Sequence, residues 1–203
     1  KIPHGSGNVK QISDYCVDFA KQHGLKYRQD KSLNVIIWKD GTSGYENSPA
    51  VILQGHIDMV AVKEEDCIKD MEKEGLDLEI QDGYLSAKQT SLGGDDGIAV
   101  AYSLALLAST DIPHPPLEAV FTVDEEIGML GAAAIDLSDL NGKIMLNMDS
   151  EDEGIFLAGC AGGASVRCDI PVTKGTETGV RRTLTLKGFT GGHSGTEIIC
   201  QRA

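Results

Sequence analysis

"AVILQGHIDMV", residues 50 to 60, begins like a buried strand, because its first four residues are aliphatic. His56 and Asp58 then follow at the end of the apolar run, where a strand that only fills a core has no need of ionisable side chains. The pair is either a hydrogen-bonded polar edge or the first part of a functional site. The remainder of the chain has to decide between these two interpretations.

Helical and strand patterns alternate on both sides of this stretch. In chain order, the patterns predict a helix at 8–23, strands at 34–39 and 50–56, a hairpin at 76–88 turning at Asp82-Gly83, a helix at 93–109, a strand at 117–123, a short helix at 129–136 and a strand at 142–148. Strands that alternate with helices are typical of an α/β fold. We therefore predict a mixed, largely parallel sheet flanked by helices.

The pattern changes after "GCAGGAS" (159–165). Residues 166–172 and 181–189 alternate apolar with polar side chains, as half-exposed antiparallel strands do. We predict a catalytic domain over residues 1–163 and the beginning of a second, α+β lid or dimerisation domain over 164–203. The second domain is expected to be incomplete, because so short a segment cannot bury a core of its own.

Composition narrows the functional classes. With 18 Lys and Arg against 31 Asp and Glu, the net charge is −13, which argues against nucleic acid as a partner. No apolar run is long enough for a membrane span, and the first residues lack the apolar core of a signal peptide. The 5 cysteines are an odd number without a C-x-x-C pair, which fits a reducing compartment. These features predict a cytoplasmic protein.

Carboxylates follow several strands at the same relative position. Ligands of open α/β sheets bind outside the carboxyl ends of the strands. The acidic residues at such ends are Asp58, Asp124, Glu125, Glu126, Asp149, Glu151 and Asp152, with Asp95 in the glycine-rich turn before the long helix. Each alone is more typical of a solvated loop, and Asp95 is also a good candidate for the helix N-cap. Their coincidence on four elements predicts a site.

The types of residue indicate which chemistry this site would perform. Imidazole and carboxylates without a thiolate suit Zn²⁺, Mn²⁺ or Co²⁺ in a hydrolytic centre. Asp58 lies on the same strand face as His56 and can orient its ring by accepting the second N–H. The adjacent Glu125 and Glu126 cannot both point the same way from an extended segment. One of them could bind metal while the other holds the attacking water.

The ordered motifs resemble a known family, the di-zinc metallopeptidases. The closest resemblance within it is to the aminoacyl-histidine dipeptidases of the bacterial peptidase D type. The motifs that carry the resemblance are "PHGSGN", "GHIDMV", "GGDDG", "TVDEEIGMLGA", "NMDSEDEG", "GCAGG" and "GGHSG". They extend over nearly the whole chain, so the resemblance is specific.

The resemblance implies two divalent metal ions, Zn²⁺ with Co²⁺ or Mn²⁺ as alternatives. His56 and Asp149 would bind one ion, Asp95 would bridge both, and Glu126 would bind the second. The family takes its last metal ligand, a histidine, from a C-terminal segment that these 203 residues do not include. We therefore expect at most one tightly bound ion in this chain, and negligible peptidase activity from it alone.

The resemblance also assigns roles in catalysis. Glu125 would be the general base, Asp58 would hold His56, and His193 would contact the substrate carbonyl, often across a homodimer. The implied activity is hydrolysis of small unblocked dipeptides, Xaa-His among them. In the glycine-rich turn, Asp96 stands where many of these dipeptidases have an asparagine, which adds a negative charge.

The sequence argues against some other functions and leaves two open. Ser194 stands among glycines, but "GHSGT" (192–196) does not match the G-x-S-x-G nucleophile pattern. Neither G-x-G-x-x-G nor a phosphate-binding P-loop occurs. Two alternatives stay open: a deacylase of N-acyl amino acids or an aminopeptidase of the same family, and a non-catalytic fragment that binds metal or peptide.

Overall fold

The computed structural model describes residues 1–150, 153–159, 166–173, 175, 179–180, 182–190 and 200. The chain divides into two compact units, Lys1–Glu151 and Asp152–Ala203. The elements of the first unit are α1 (Lys10–Gln22), β1 (Lys26–Gln29), β2 (Val35–Lys39), β3 (Val51–His56), β4 (Leu78–Gln81), β5 (Tyr84–Ala87), α2 (Gly94–Ala108), β6 (Leu117–Thr122), α3 (Leu130–Ala134) and β7 (Ile144–Asn147). The domain boundary predicted at residue 163 lies outside the described residues and stays a prediction.

The main sheet has five strands in the order β1-β2-β6-β3-β7. β3 is parallel to both of its neighbours, β6 and β7, whereas β2 is antiparallel to β1 and β6. Four strands thus run in one direction and β2 runs against them. The predicted mixed, largely parallel sheet flanked by helices is confirmed.

The apolar core lies between one face of this sheet and the helices α1 and α2. β6 is buried at every position, as expected for the central strand of a sheet covered on both faces. The buried core residues are Val9, Cys16, Val17, Ala20, Val35, Ile37, Ile57, Leu107, Ala119, Phe121 and Val123. Alternate residues of β2 and β6 contribute to this cluster, as the two-residue period of a strand requires. This packing fixes β3 and β6, and therefore also the positions of the residues directly after these two strands.

The hairpin β4–β5 turns where the sequence predicted. Asp82 and Gly83 have φ of 52° and 85°, the pair of positive values that a type I′ turn requires. β1 was not predicted, because "KYRQ" has no apolar alternation and the strand gains its place by pairing with β2. The sequence predicts strands at 166–172 and 181–189. The described residues of these two stretches, 166–172 and 182–189, form no strand, and within the described part no second strand pairs with them.

The described helices include none long and apolar enough to cross a bilayer.

Candidate metal centre

Strand order and register bring the predicted site residues to one edge of the sheet. The parallel strands β6, β3 and β7 are neighbours, so their carboxyl ends meet there. The register pairs Gln54 with Asn147 and His56 with Thr122. His56 lies two residues after Gln54, and Asp149 lies two residues after Asn147. Asp149 therefore lies beside His56. The backbone alone thus places the end of "GHIDMV" beside the end of "NMDS".

Three of the four predicted metal ligands converge at this edge. One ligand atom each from His56, Asp95 and Asp149 lies within 4.8 Å of the other two. The Nε2 of His56 is 2.9 Å from Oδ1 of Asp95. His56 is 1% exposed and the side chain of Asp95 is 59% exposed, so the group joins a buried imidazole to solvent-facing carboxylates. Glu126, the fourth predicted ligand, is not within this group.

Asp95 reaches His56 because the first turn of α2 is irregular. The N-cap of α2 is Gly93, with φ of 71° and no capping side chain, so the interpretation of Asp95 as the N-cap is wrong. Asp95 and Asp96 have non-helical φ/ψ angles, and the peptide bond between them is cis. The left-handed backbone conformation of Gly93 is accessible mainly to glycine. The "GGDD" turn therefore directs Asp95 to the sheet edge rather than along the helix.

The carboxylate of Asp58 accepts hydrogen bonds from three residues of the site. Its Oδ1 accepts a hydrogen bond from the backbone N–H of Glu125 at 3.0 Å and lies 3.4 Å from Nδ1 of His56. Its Oδ2 accepts from the hydroxyl of Ser6 at 2.8 Å and from the N–H of Glu126 at 3.3 Å. The closest acceptor for Nδ1 of His56 is the backbone carbonyl of Asp58, at 3.0 Å. Asp58 thus contacts the metal-ligand candidate and the backbone of both glutamates at once.

The segment carrying Glu125 and Glu126 is a turn, not the extended chain that the sequence interpretation assumed. Asp124 has φ of 54°, which reverses the chain just after β6. The buried Asn34, directly before β2, fixes this turn. Its Oδ1 accepts a hydrogen bond from the N–H of Val123 at 3.1 Å, and its Nδ2 donates one to the carbonyl of Gly131 at 3.1 Å. Nothing in the sequence marked Asn34 as part of the site.

The pKa values of His56 and Asp58 are shifted strongly and in opposite directions. Burial lowers the pKa of His56, but hydrogen bonds with Asp58 and Asp95 outweigh it and raise the pKa to about 10. Burial raises the pKa of Asp58, and the hydrogen bonds from His56, Glu125 and Ser6 more than reverse this, to about 2. Without a metal, the ring therefore carries a proton that an ion would have to displace.

Three neighbouring acidic residues have raised pKa values, opposite to the lowered pKa of Asp58. Burial raises the pKa of Glu125, and the charge of Asp149 adds to this against the opposing charge of His56. Burial and the nearby charge of Asp95 raise the pKa of Glu126. Burial raises the pKa of Asp96 to about 7. Crowded carboxylates of this kind are characteristic of functional sites, and a cation between them would relieve their repulsion.

One open space lies beside the group, and another lies beside Glu126. A cavity of about 310 Å³ is lined by Asp95, Asp96 and Asp149. A larger cleft of about 1040 Å³ extends from Glu126 along residues 5–8 and 59–63. The space beside the carboxylates is therefore large enough for an ion and a small ligand.

Of the remaining predicted residues, His193 lies outside the described part of the chain. Three residues at the site escaped the sequence interpretation: Ser6, Asn34 and the buried Asp96 as a neighbour of His56. Ser6 had a signal, because it belongs to the "PHGSGN" motif, but that motif carried only the resemblance and gave no role.

Comparison with known proteins agrees with these motifs. The chain is 41% identical over 202 residues to the cytosol non-specific dipeptidase of Escherichia coli (strain K12), a match over 97% of this chain and 41% of that protein. The crystal structure of aminoacylhistidine dipeptidase from Vibrio alginolyticus matches with a TM-score of 0.73 and 44% identity, over 75% of this chain and 31% of that one. No family model matches the chain.

A more distant match supports the fold alone. A tripeptidase from Staphylococcus aureus matches with a TM-score of 0.62 and 23% identity, over 74% of this chain and 40% of that chain. The resemblance to the aminoacyl-histidine dipeptidases is confirmed by the E. coli and Vibrio proteins. The chain spans 41% of the length of the E. coli relative.

Proposed function

We propose that the complete gene product, like the aminoacyl-histidine dipeptidases that this chain resembles over nearly its whole length, is a metal-dependent dipeptidase. The observation that supports this best is the convergence of His56, Asp95 and Asp149 at the carboxyl ends of parallel strands, within 4.8 Å of one another. The crowded carboxylates beside them have raised pKa values, as expected of a site built for cations.

The donor set fits a divalent metal ion. One imidazole nitrogen and carboxylate oxygens, without sulfur, suit Zn²⁺, Co²⁺ or Mn²⁺. His56 and Asp149 would bind one ion, with Asp95 shared between two and Glu126 on the second. A bound ion would polarise the peptide carbonyl and make a water more acidic. Because Glu126 is not within the three-residue group, we expect the 203-residue chain to bind one ion tightly.

The residues of this chain then divide the remaining work. Glu125 takes the proton of the attacking water at a carboxylate oxygen and transfers it to the leaving amine nitrogen. Its raised pKa suits this role, because a base is most effective when its pKa approaches the working pH. Asp58 holds the ring of His56 through Nδ1 and fixes the turn that carries Glu125. The family resemblance implies that His193 would contact the substrate carbonyl.

The substrates are small unblocked dipeptides, with Xaa-His among them, and the protein acts as a cytoplasmic homodimer. The names of the E. coli and Vibrio relatives support the substrate class, and the name of the E. coli protein also supports the location. The cleft of about 1040 Å³ beside Glu126 has room for a dipeptide side chain.

The direct test is hydrolysis by the complete gene product. The protein is stripped with a chelator and reloaded separately with Zn²⁺, Co²⁺ and Mn²⁺, and turnover of β-Ala-His is compared with that of N-acetyl amino acids. We expect turnover to disappear with the metal and to favour the dipeptide. Preference for the acetylated compounds would instead identify a deacylase, and metal binding without turnover of either would identify a binding protein.

Substitution of the two adjacent glutamates distinguishes the general base from the metal ligand. Glu125→Gln should keep its metal content and lose about 100- to 10,000-fold in kcat, the usual contribution of a general base. Glu126→Gln should lose about one metal equivalent from the complete gene product. Glu65→Gln, an exposed glutamate away from the site, is the matched control for both. Equal activity in all three variants would contradict the assignment.

A further inference from the structure

The "GSGN" loop, residues 5–8, contacts the site although it is remote from it in sequence. Ser6 Oγ donates a hydrogen bond of 2.8 Å to Oδ2 of Asp58, 52 positions away. The N–H of Gly7 donates one of 2.7 Å to Oδ1 of Asp124, 117 positions away. The loop therefore contacts the residues after β3 and β6, the two strands that carry His56 and the glutamate pair.

The backbone of this loop is itself fixed. The N–H of Ser6 donates to the carbonyl of Met59 at 3.2 Å, and the N–H of Met59 donates to the carbonyl of His4 at 3.1 Å. Gly5 lies so close to the chain that a Cβ there would be 2.8 Å from the Cβ of Ala61. The hydroxyl of Ser6 is thus presented to Asp58 from a rigid support.

The two oxygens of Asp58 differ in how they are held. Oδ1 has the N–H of Glu125 at 3.0 Å, whereas the other backbone donor, Glu126, is 3.3 Å from Oδ2. Without the Ser6 hydroxyl, Oδ2 would keep only this longer contact. The carboxylate could then rotate about its Cβ–Cγ bond, and Oδ1 would lose its fixed place 3.4 Å from Nδ1 of His56.

We propose that Ser6 is a positioning residue of the metal centre, which acts through Asp58 on the ring of His56 and on the turn that carries Glu125. This inference rests on the proposed function. Outer groups that orient a metal-binding histidine affect metal affinity or activity by about 10- to 100-fold. Ser6 is one step further out than Asp58, so the lower end of that range applies.

The test compares a hydroxyl with a methyl group of the same shape. Ser6→Thr and Ser6→Val differ only in the hydroxyl, and Ser6→Ala removes it without added bulk. Zn²⁺ affinity of each variant is measured by calorimetry, the visible spectrum is recorded with Co²⁺, and kcat and KM are determined in the complete gene product. We expect Thr to behave like the wild type. We expect Val and Ala to bind Zn²⁺ about tenfold more weakly, with an altered Co²⁺ spectrum and a lower kcat at unchanged KM.

Ser13→Ala is the matched control. Ser13 is a buried serine whose hydroxyl donates to the carbonyl of Leu33 at 2.6 Å, within the packing of α1 and away from the metal centre. Its loss should lower the melting temperature without changing Zn²⁺ affinity, spectrum or kcat. If Ser6→Ala fails to fold, the Thr and Val pair still separates hydroxyl from bulk.

Two results would overturn the inference: Thr and Val variants with the same Zn²⁺ affinity and kcat, or losses in Ser6→Val that match those in Ser13→Ala. A wild-type protein that neither binds Zn²⁺ nor cleaves dipeptides would be a different failure, that of the proposed function itself.

Discussion

Asp58 and Asp149 each lie two residues after a strand, β3 and β7, and these strands are parallel neighbours. The structure treats the two aspartates very differently. Asp58 is 1% exposed and accepts hydrogen bonds from Ser6, Glu125 and Glu126. Asp149 is exposed, at the end of a strand that is exposed at all four of its positions.

The difference follows from where the two strands lie. β3 has strands on both sides and α2 packs against it, whereas β7 is the last strand of the described sheet. Asp58, after the inner strand β3, is buried and accepts hydrogen bonds from backbone donors, whereas Asp149, after the outer strand β7, is exposed. The part of the site around Asp58 is therefore organised by the fold, and we expect the part around Asp149 to depend more on the ion that it would bind.

The largest expected effect comes from removing each aspartate in turn. Asp58→Ala would leave three donors without their acceptor and remove the negative charge beside the ring of His56, so we expect the free energy of unfolding to fall by about 3 kcal/mol without metal. Asp149→Ala should change it by less than about 0.5 kcal/mol, because the side chain is exposed. Urea unfolding of the metal-free chain measures both values.

Substitution of Asp149, which should hardly change stability, should strongly change the affinity for metal. Asp149→Ala should weaken Zn²⁺ binding by more than about 100-fold, since the proposed function makes Asp149 a direct ligand and changes further out already cost about 10- to 100-fold. Calorimetry on the same proteins checks this. Stability that falls equally in both variants would end the distinction between a fold-organised and an ion-organised half.

The second prediction uses pH to examine the inner half. The pKa of His56 is raised to about 10 in the metal-free protein, above the ordinary 6.5. Each bound ion must displace this proton, so Zn²⁺ affinity should increase about tenfold per pH unit from about pH 6 to about pH 8. Asp149→Asn should bind more weakly yet keep the slope, because it leaves His56 in place. A flat profile in the wild type would contradict the protonated ring.

The same shift has a consequence for the metal-free fold. A histidine whose pKa is raised on folding stabilises the protein fully below its unfolded pKa of 6.5, and this contribution is lost as the pH rises through about 10.

The smallest predicted effect concerns Asp96, which is 1% exposed. Burial raises its pKa from 3.8 to about 7, so the protonated form favours folding, and the cost of ionisation grows as the pH rises from 3.8 through about 7. The N–H of His56 donates to Oδ2 of Asp96 at 3.3 Å. Asp96→Asn removes the cost of ionisation, and its amide oxygen can still accept this hydrogen bond. We expect a gain of about 1–2 kcal/mol near pH 8, which disappears near pH 4.

Urea unfolding at both pH values measures this gain. Asp18→Asn, on the exposed face of α1 in a surface ion pair with Lys21, is the control and should change stability by less than about 1 kcal/mol at either pH. Equal stabilities of wild type and Asp96→Asn at both pH values would show that the buried carboxyl costs nothing.

The alternation of apolar strands and amphipathic helices determined the sheet, and the polar residues at strand ends determined most of the site. Both are local patterns: a two-residue period marks a strand, and a parallel strand directs its last residues to one edge. His56, Asp58, Asp95 and Asp149 could therefore be named from the sequence. Only tertiary structure decided that β1 exists, because "KYRQ" becomes a strand by pairing with β2. Tertiary structure also decided that Ser6 and Asn34 hold the site, since hydrogen bonds across 52 and 89 positions leave no periodic mark in the chain.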